Sequence, residues 1–174
     1  MALSFAIEPA QPEQAEALAE IGISAWRQSA FGENDAERTA ISQLSNEFKK
    51  FCRTSADKIL VARQKGVPLG WGAREDGDHV ISDLWVSSHA QGQGVGAALL
   101  DALEAAIASH GFTNAELETY AGNAGAVRFY QRHGYVPVWR GLKFSASLNY
   151  ELDKIRFSKP LAGQAQHGTG LPRP

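Results

Sequence analysis

The sequence has little cysteine, no strong excess of either charge and no long hydrophobic run. A single cysteine among 174 residues excludes an intrachain disulfide and predicts a reducing compartment. The net charge is −2 and no segment is dense in Lys or Arg, which argues against nucleic acid or an anionic membrane as the main partner. No apolar run approaches the roughly 20 residues that span a bilayer. The first residues also lack a basic region and apolar core of the signal-peptide type, so we expect a cytoplasmic protein.

The sequence lacks the residue patterns of two common kinds of enzyme site. The five histidines are scattered without the spacing of metal ligands, so we expect no metal. The nucleophile pattern G-x-S-x-G is missing. Cys52 falls on the apolar stripe of a predicted helix, which favours packing over reactivity.

Alternating glycines stand between an apolar run and an Ala- and Leu-rich helical pattern. The stretch is Gln91-Gly92-Gln93-Gly94-Val95-Gly96-Ala97. Glycine leaves the backbone uncovered, and the first turn of a helix offers unpaired N–H groups at the positive end of the helix dipole. No Ser, Thr, Asp or Asn lies between Ala90 and Ala98 to cap this helix. The stretch therefore predicts a turn that binds a phosphate group.

Two known patterns fit these glycines. From Gln91 to Gly96 the stretch resembles Q/R-x-x-G-x-G/A, the acyl-CoA-binding motif of the GNAT superfamily (Gcn5-related N-acetyltransferases). From Gly92 to Ala97 it also resembles G-x-G-x-x-A, a variant of the dinucleotide fingerprint. A Rossmann domain places that fingerprint after the first strand of repeated βαβ units, whereas here it follows a predicted antiparallel meander, residues 58–86. A nicotinamide-dependent oxidoreductase is therefore only the weaker alternative.

A second segment strengthens the first resemblance. Residues 123–135 resemble the family pattern N-x-x-A-x-x-x-Y-x-x-x-G-F/Y, with matches at Asn123, Ala126, Tyr130, Gly134 and Tyr135. Residues seven apart share one face of a helix, so Asn123 and Tyr130 are predicted to face the same way. Together the two motifs give a resemblance to the GNAT superfamily that covers roughly residues 4–160.

The order of predicted elements indicates a mixed α/β fold. The pattern predicts a strand (4–7), two helices (13–29 and from 34 or 35), three antiparallel strands (58–86), a helix (94–110), a strand (113–120), a short helix capped by Asn123 and two strands (135–139 and 148–157). A helical crossover between the fourth and fifth strands implies that they are parallel. We expect a mostly antiparallel sheet with one central parallel pair, flanked by helices.

The composition divides the chain once. We expect one domain over residues 1–161. Residues 162–174 are rich in Gly, Gln, Ala and Pro without periodicity, and predict a flexible tail.

The resemblance implies transfer of an acetyl group from acetyl-CoA to a primary amine, by direct attack in a ternary complex. It implies that the parallel strands splay apart near Val86, which exposes backbone groups there to the pantetheine arm. It also makes Tyr130 the proton donor to the leaving thiolate. The cofactor contacts that follow from it are Trp85, Val86, Gln91, Gly92, Gln93, Gly94, Val95, Gly96, Ala97, Asn123, Tyr130 and Arg132.

A proton acceptor is also needed, because a lysine-type amine has a pKa near 10.4 and is protonated at neutral pH. Strand alternation predicts that Asp83 is buried on the same face as Ile81 and Trp85, and a buried carboxylate is costly. We therefore expect Asp83 to be the general base, with Glu118 and His89 as alternatives.

The resemblance implies a small-molecule or peptide amine as the partner, bound by residues 26–36 and by a loop over residues 140–148. A homodimer is a further expectation at the level of the family. A second class of function stays open: a non-catalytic module that binds acyl-CoA as a sensor or structural ligand. The presence of both Tyr130 and the glycine loop favours an enzyme.

Overall fold

The computed structural model describes residues 4–29, 41–75, 77–145 and 149–162. Within these ranges the helices are α1 (Ala15–Gln28), α2 (Ile41–Thr54), α3 (Val95–Ser109) and α4 (Ala124–Arg132). The strands are β1 (Ala6–Pro9), β2 (Ile59–Gln64), β3 (Val67–Glu75), β4 (Val80–Val86), β5 (Asn114–Tyr120), β6 (Val136–Ser145) and β7 (Tyr150–Pro160).

One sheet holds these strands, in the order β1-β2-β3-β4-β5-β7-β6. Every neighbouring pair is antiparallel except β4 and β5, which are parallel. Helix α3 lies between those two strands in the chain and supplies the crossover that parallel neighbours require. The predicted mixed sheet with one central parallel pair is confirmed.

Short turns build the meander of β2, β3 and β4. Lys65 and Gly66 join β2 to β3 with φ angles of 48° and 82°. A two-residue turn with both φ angles positive matches the right-handed twist of the strands it joins. Gly77 and Asp78 also have positive φ, at the turn between β3 and β4. Asp76, the first residue of the predicted Asp-Gly turn, lies outside the described residues.

The helices cover both faces of the sheet. α1 and α2 lie on one face, where Leu18, Phe48 and Trp71 belong to one buried cluster, and the Trp71 indole N–H donates to the Leu18 carbonyl at 2.7 Å. α3 lies on the other face, where its residues Leu103 and Ile107 are fully buried. α4 packs on this second face through partly buried side chains.

Cys52 is fully buried between α2 and the sheet. Burial raises the pKa of its thiol to about 12, helped by the charge of Asp83. A thiol with such a pKa stays protonated at neutral pH and is a poor nucleophile. The prediction that Cys52 serves packing is therefore confirmed.

β6 extends well past its predicted end at residue 139. Residues 140–145 were predicted as loop, but they pair with β7, for example Lys143 with Leu152. Gly141 permits this course, because a Cβ there would lie 2.8 Å from the Trp139 indole. The loop prediction is wrong for residues 140–145, since glycine here makes room for a ring instead of breaking the strand.

Some predictions fall outside the described residues. These are the break between the first two helices, the start of the second helix at 34 or 35, the loop residues 146–148, and the tail beyond residue 162. Among the described residues, no helix is long and apolar enough to cross a membrane.

Candidate active site

β4 and β5 pair only at their beginnings. The paired residues are Val80 with Glu116 and Ile81 with Leu117, whereas β4 continues to Val86 and β5 to Tyr120. The two strands therefore diverge toward their carboxyl ends, as predicted. This opening lies in the middle of the sheet, at the carboxyl ends of its parallel pair.

The backbone of Val86 faces this opening. The next residue, Ser87, donates its N–H to the carbonyl of Leu69 in β3, at 2.9 Å. Alternate residues of a strand direct their N–H and C=O groups to opposite sides, so those of Val86 point away from β3. The Val86 carbonyl accepts a hydrogen bond from Gln91 Nε2 at 3.1 Å.

Two of the three loop glycines have backbones that other residues rarely adopt. Gly92 and Gly94 have φ angles of 72° and 84°. Gly94 is the N-cap of α3, and no side chain caps this helix, as predicted. Gly96 belongs to the helix, and a Cβ there would make ordinary contacts with Phe129 at 3.6 Å. The glycine requirement therefore falls on Gly92 and Gly94.

The two glutamine side chains of the loop donate hydrogen bonds to nearby backbone carbonyls. Gln93 Nε2 donates to the His89 carbonyl at 2.6 Å, and Gln91 bonds to Val86 as described above. The Val95 side chain is buried in the core. Gly92 and Gly94 are exposed, so their backbone is open to solvent. Unpaired N–H groups at an uncapped helix start fit a phosphate group.

α4 begins on the far side of the opening. Asn123 is its N-cap, because its Oδ1 accepts a hydrogen bond from the Ala126 N–H at 3.1 Å. Tyr130 follows seven residues, or about two helical turns, after Asn123. Its ring packs on Tyr135 and Phe157 at centroid distances of 5.8 and 6.2 Å. These contacts hold the Tyr130 side chain in one orientation.

A cleft of about 490 Å³ lies at the opening, lined by residues of β4, β5 and α4 among others, whereas Val86 and the glycine loop are outside its lining. Asp83, Asn123 and Tyr130 line it together. Its apolar wall comes from α1, α2 and β4, with the residues Trp26, Leu44, Phe48, Phe51 and Trp85. The wall from β5 and β7 includes Glu118, Thr119, Tyr120, Leu152 and Lys154.

A bulge in β4 directs Asp83 into this cleft. Ala73 pairs with Asp83 and the next residue, Arg74, pairs with Ile81, so Ser82 is an extra residue in β4. An extra residue reverses the alternation of side chains. Ile81 consequently lies in the core beneath α3, whereas Asp83 faces the cleft. The prediction that Asp83 shares a face with Ile81 is wrong, because alternation fails across the bulge.

The sequence matches the model of the acetyltransferase (GNAT) family over residues 20–135. The chain belongs to the GNAT family. It is therefore an acyltransferase. A search of curated proteins found no match to its sequence.

Solved structures of similar fold include a GCN5-related N-acetyltransferase from Rhodopseudomonas palustris, with 26% identity, a TM-score of 0.77 and coverage of 92% of this chain and 98% of the other. The PaiA N-acetyltransferase of Thermoplasma acidophilum, solved with coenzyme A, has 17% identity, a TM-score of 0.72 and coverage of 90% and 99%. YncA of Salmonella typhimurium, solved with its cofactor acetyl-CoA, has 17% identity, a TM-score of 0.67 and coverage of 96% and 99%. The last two likenesses show a shared fold.

Burial raises the pKa of the Asp83 carboxyl in this GNAT protein. The Trp85 indole N–H donates to Asp83 Oδ1 at 2.8 Å and acts against that shift. The indole also packs edge-on against Phe48, at a centroid distance of 5.5 Å, so the Trp85 side chain faces α2. Trp85 thus orients the carboxylate within the cleft.

Tyr130 is the second titratable group at the opening. Burial raises the pKa of its hydroxyl, and the charge of Asp83 raises it further. The hydroxyl therefore stays protonated at neutral pH. Asp83 therefore lies close enough for its charge to affect the protonation of Tyr130.

The other two candidate bases have different surroundings. Burial raises the pKa of Glu118, but salt bridges of 2.8 Å from Lys143 and from Arg156 outweigh burial and lower it. A carboxylate held ionised in this way is a weak base. His89 is exposed in a short turn beside the glycine loop and does not line the cleft. Arg132 is exposed at the end of α4.

The sequence analysis missed Lys154 as a cleft residue. It had placed a strand over residues 148–157, but it did not assign the faces of that strand. Phe157 packs in the core, so strand alternation would have directed Lys154 and Arg156 to the opposite face. That signal was present in the sequence and needed only the identity of the buried face.

Proposed function

We propose that this GNAT protein transfers the acetyl group of acetyl-CoA to a primary amine, by direct attack of the amine while both substrates are bound. The observation that supports this most strongly is the meeting of Asp83 and Tyr130 in one cleft at the opening between β4 and β5. An uncapped helix start with two positive-φ glycines lies beside the same opening.

The chain offers matching groups along the length of acetyl-CoA. The backbone N–H groups from Gly92 to Ala97 would hold the pyrophosphate, and Arg132 is exposed to meet a further phosphate. The Val86 backbone at the opening would bond the pantetheine arm, with Asn123 at the far wall. Acetyl-CoA supplies an activated acyl carbon as a thioester.

Asp83 is the proposed proton acceptor for the amine. A general base works best when its pKa lies near the working pH, and burial moves the pKa of Asp83 in that direction. The Trp85 indole N–H fixes one carboxylate oxygen, so the carboxylate is oriented before the amine arrives. The proton passes to Asp83 directly or through one water.

Tyr130 is the proposed proton donor to the departing thiolate. Its raised pKa keeps the hydroxyl protonated over the whole neutral range. The aromatic rings around it restrict its motion, so the hydroxyl is positioned in advance.

The experiment is release of free thiol from acetyl-CoA, with and without a panel of amines. We expect release that depends on the amine, and its loss in Asp83→Asn. Asp101→Asn, an exposed change on α3, is the matched control and should behave as wild type. Binding of acetyl-CoA without release under any amine would contradict the proposal and favour a non-catalytic module. Thermal stabilisation by NAD alone would favour an oxidoreductase.

A homodimer through β6 is the second part of the proposal. β6 is an edge strand of ten residues, and such edges are templates for pairing with another chain. Its large side chains are 41–66% exposed, namely Val136, Val138, Trp139, Leu142 and Phe144. At about 100 Å² each, these side chains expose about 1,000 Å² of apolar surface in two copies, which is an upper limit on what the contact can bury and lies near the lower limit for a specific interface.

Sedimentation of the purified protein tests this pairing. We expect a dimer for the wild type and a monomer for Leu142→Lys, since a charge would be placed in the paired edge. Val67→Lys is the control, because Val67 is 60% exposed on a different strand. A wild-type monomer, or a Leu142→Lys dimer of unchanged strength, would contradict the β6 interface.

A further inference from the structure

Lys154 lies in the cleft without a partner of its own. It pairs with Tyr120 across β5 and β7, and it lines the cleft together with Asp83 and Tyr130. Lys154 is half-buried. Among the residues that the structure describes, none forms a salt bridge or hydrogen bond with its ammonium group.

The carboxylate whose charge acts on Lys154 is already bonded to other cations. Glu118 accepts from Lys143 Nζ at 2.8 and 2.9 Å and from Arg156 at 2.8 and 3.1 Å. Two cationic side chains are thus bonded to this carboxylate, and Lys154 is the cationic residue near it that has no salt bridge with a described residue. Burial lowers the pKa of Lys154, Glu118 raises it, and Lys143 lowers it again. A half-buried ammonium without an anion is costly, and an incoming anion would remove that cost.

The opposite wall of the cleft is mostly apolar, although Glu47 of α2 also lines it. Phe48 is buried and packs edge-on against Trp85, and Leu44 and Phe51 line the same wall. The cleft therefore offers three kinds of contact: a carboxylate at Asp83 for an amine, an ammonium at Lys154 for an anion, and aromatic rings for an apolar body.

We propose that Lys154 binds a carboxylate on the acceptor, so the acceptor is an amino acid with an apolar body. This inference rests on the proposed function, since it concerns the second substrate of that cleft. In the reaction the acceptor nitrogen bonds to the acetyl carbon and the carbon–sulfur bond breaks. One amine proton goes to Asp83, and the thiolate takes a proton from Tyr130. The products are an N-acetylated amino acid and CoA.

The test compares acceptors with and without the carboxylate, and each kcat/KM is expressed per unprotonated amine, because a carboxamide also lowers the pKa of the neighbouring amine. Phenylalanine and leucine are each paired with their neutral carboxamide, and β- and γ-amino acids extend the distance between amine and carboxylate. We expect kcat/KM to favour an acid over its carboxamide by about tenfold to a hundredfold, the usual worth of a hydrogen bond between charged groups. Lys154→Met should raise KM for the acids by a similar factor and leave the carboxamides unchanged.

Two further variants keep the result interpretable. Lys154→Arg preserves the charge and should retain part of the preference for acids. Lys50→Met, an exposed change on α2, should match wild type. Equal rates for acids and carboxamides, or an equal loss for both in Lys154→Met, would overturn the role of Lys154 and leave acetyl transfer standing. Failure of every amine would overturn the proposed function itself, and this inference with it.

Discussion

Tyr130→Phe removes one hydroxyl and leaves the ring in place. The ring packs on Phe129, Tyr135 and Phe157 at centroid distances of 5.3, 5.8 and 6.2 Å. None of these contacts needs the hydroxyl, so no cavity opens. We expect the free energy of unfolding to change by no more than about 1 kcal/mol, the net worth of one hydrogen bond.

The effect on turnover should be much larger. A positioned general acid contributes about 10²- to 10⁴-fold to a rate, which corresponds to about 3–5 kcal/mol of activation free energy. The dissociation constant for acetyl-CoA should rise by less than about tenfold, because the lost hydroxyl contributes a single hydrogen bond to binding. The change therefore separates the chemical step from binding.

The pH dependence gives a second measure of the same role. An acid acts while it is protonated, and burial raises the pKa of Tyr130 above its ordinary value. Tyr130 therefore stays protonated throughout the neutral range, and Tyr130→Phe should lower kcat by the same factor at every pH there. If the loss of kcat in Tyr130→Phe were confined to the acidic or the alkaline side of the pH profile, the titration on that side would belong to another group.

The assay is thiol release under saturating amine, with acetyl-CoA affinity and the thermal midpoint measured on the same samples. Tyr135→Phe is the matched control, since it makes the same change in a buried tyrosine of the same cluster that does not line the cleft. We expect that control to keep a kcat near wild type. A kcat for Tyr130→Phe within about threefold of wild type would refute the general-acid role, for which a hundredfold loss is the lower bound.

Three further predictions concern the loop, the base and the cap. Gly94→Val should weaken acetyl-CoA binding and cost about 1–2 kcal/mol of stability or more, because Gly94 has a φ of 84° that side chains disfavour; Gly96→Ala is the control in titration calorimetry and should bind normally. The raised pKa of Asp83 means that its contribution to stability is full below the unfolded-state pKa and is lost as pH rises through the native value. Asp83→Asn should thus unfold at a higher temperature than wild type at pH 8, with the difference vanishing at acid pH, and equal midpoints at both would contradict this. Asn123→Ala should lose about 1 kcal/mol, or about 2–4 °C in Tm, whereas Asn123→Asp keeps the cap; equal losses in both would remove the capping role.

The overall fold was accessible from the sequence because local signals mark it. The turn at Lys65 and Gly66 indicates that β2 pairs with β3, and the helical crossover indicates that β4 and β5 are parallel; both signals were visible in composition and periodicity. The glycine loop was equally visible, because its positive-φ positions admit few residues other than glycine. These features depend on residues that lie close together in the sequence.

What escaped prediction depends on contacts distant in sequence. The extra residue Ser82 in β4 carries no mark in composition, yet it separates the faces of Ile81 and Asp83. The length of β6 depends on pairing with β7, and Gly141 resembles a break until the Trp139 ring is seen above it. The sequence can place Lys154 on the cleft face of β7, but only the structure shows that Glu118 is bonded to two other cations and that Lys154 has no salt bridge among the described residues.

The most direct test of the whole account is a crystal structure of the protein with acetyl-CoA. We expect pyrophosphate oxygens about 2.7–3.2 Å from backbone nitrogens between Gly92 and Ala97. We also expect the thioester in the opening between β4 and β5, with its sulfur within hydrogen-bonding reach of the Tyr130 hydroxyl. A pyrophosphate bound away from the start of α3, or a thioester outside that opening, would contradict it.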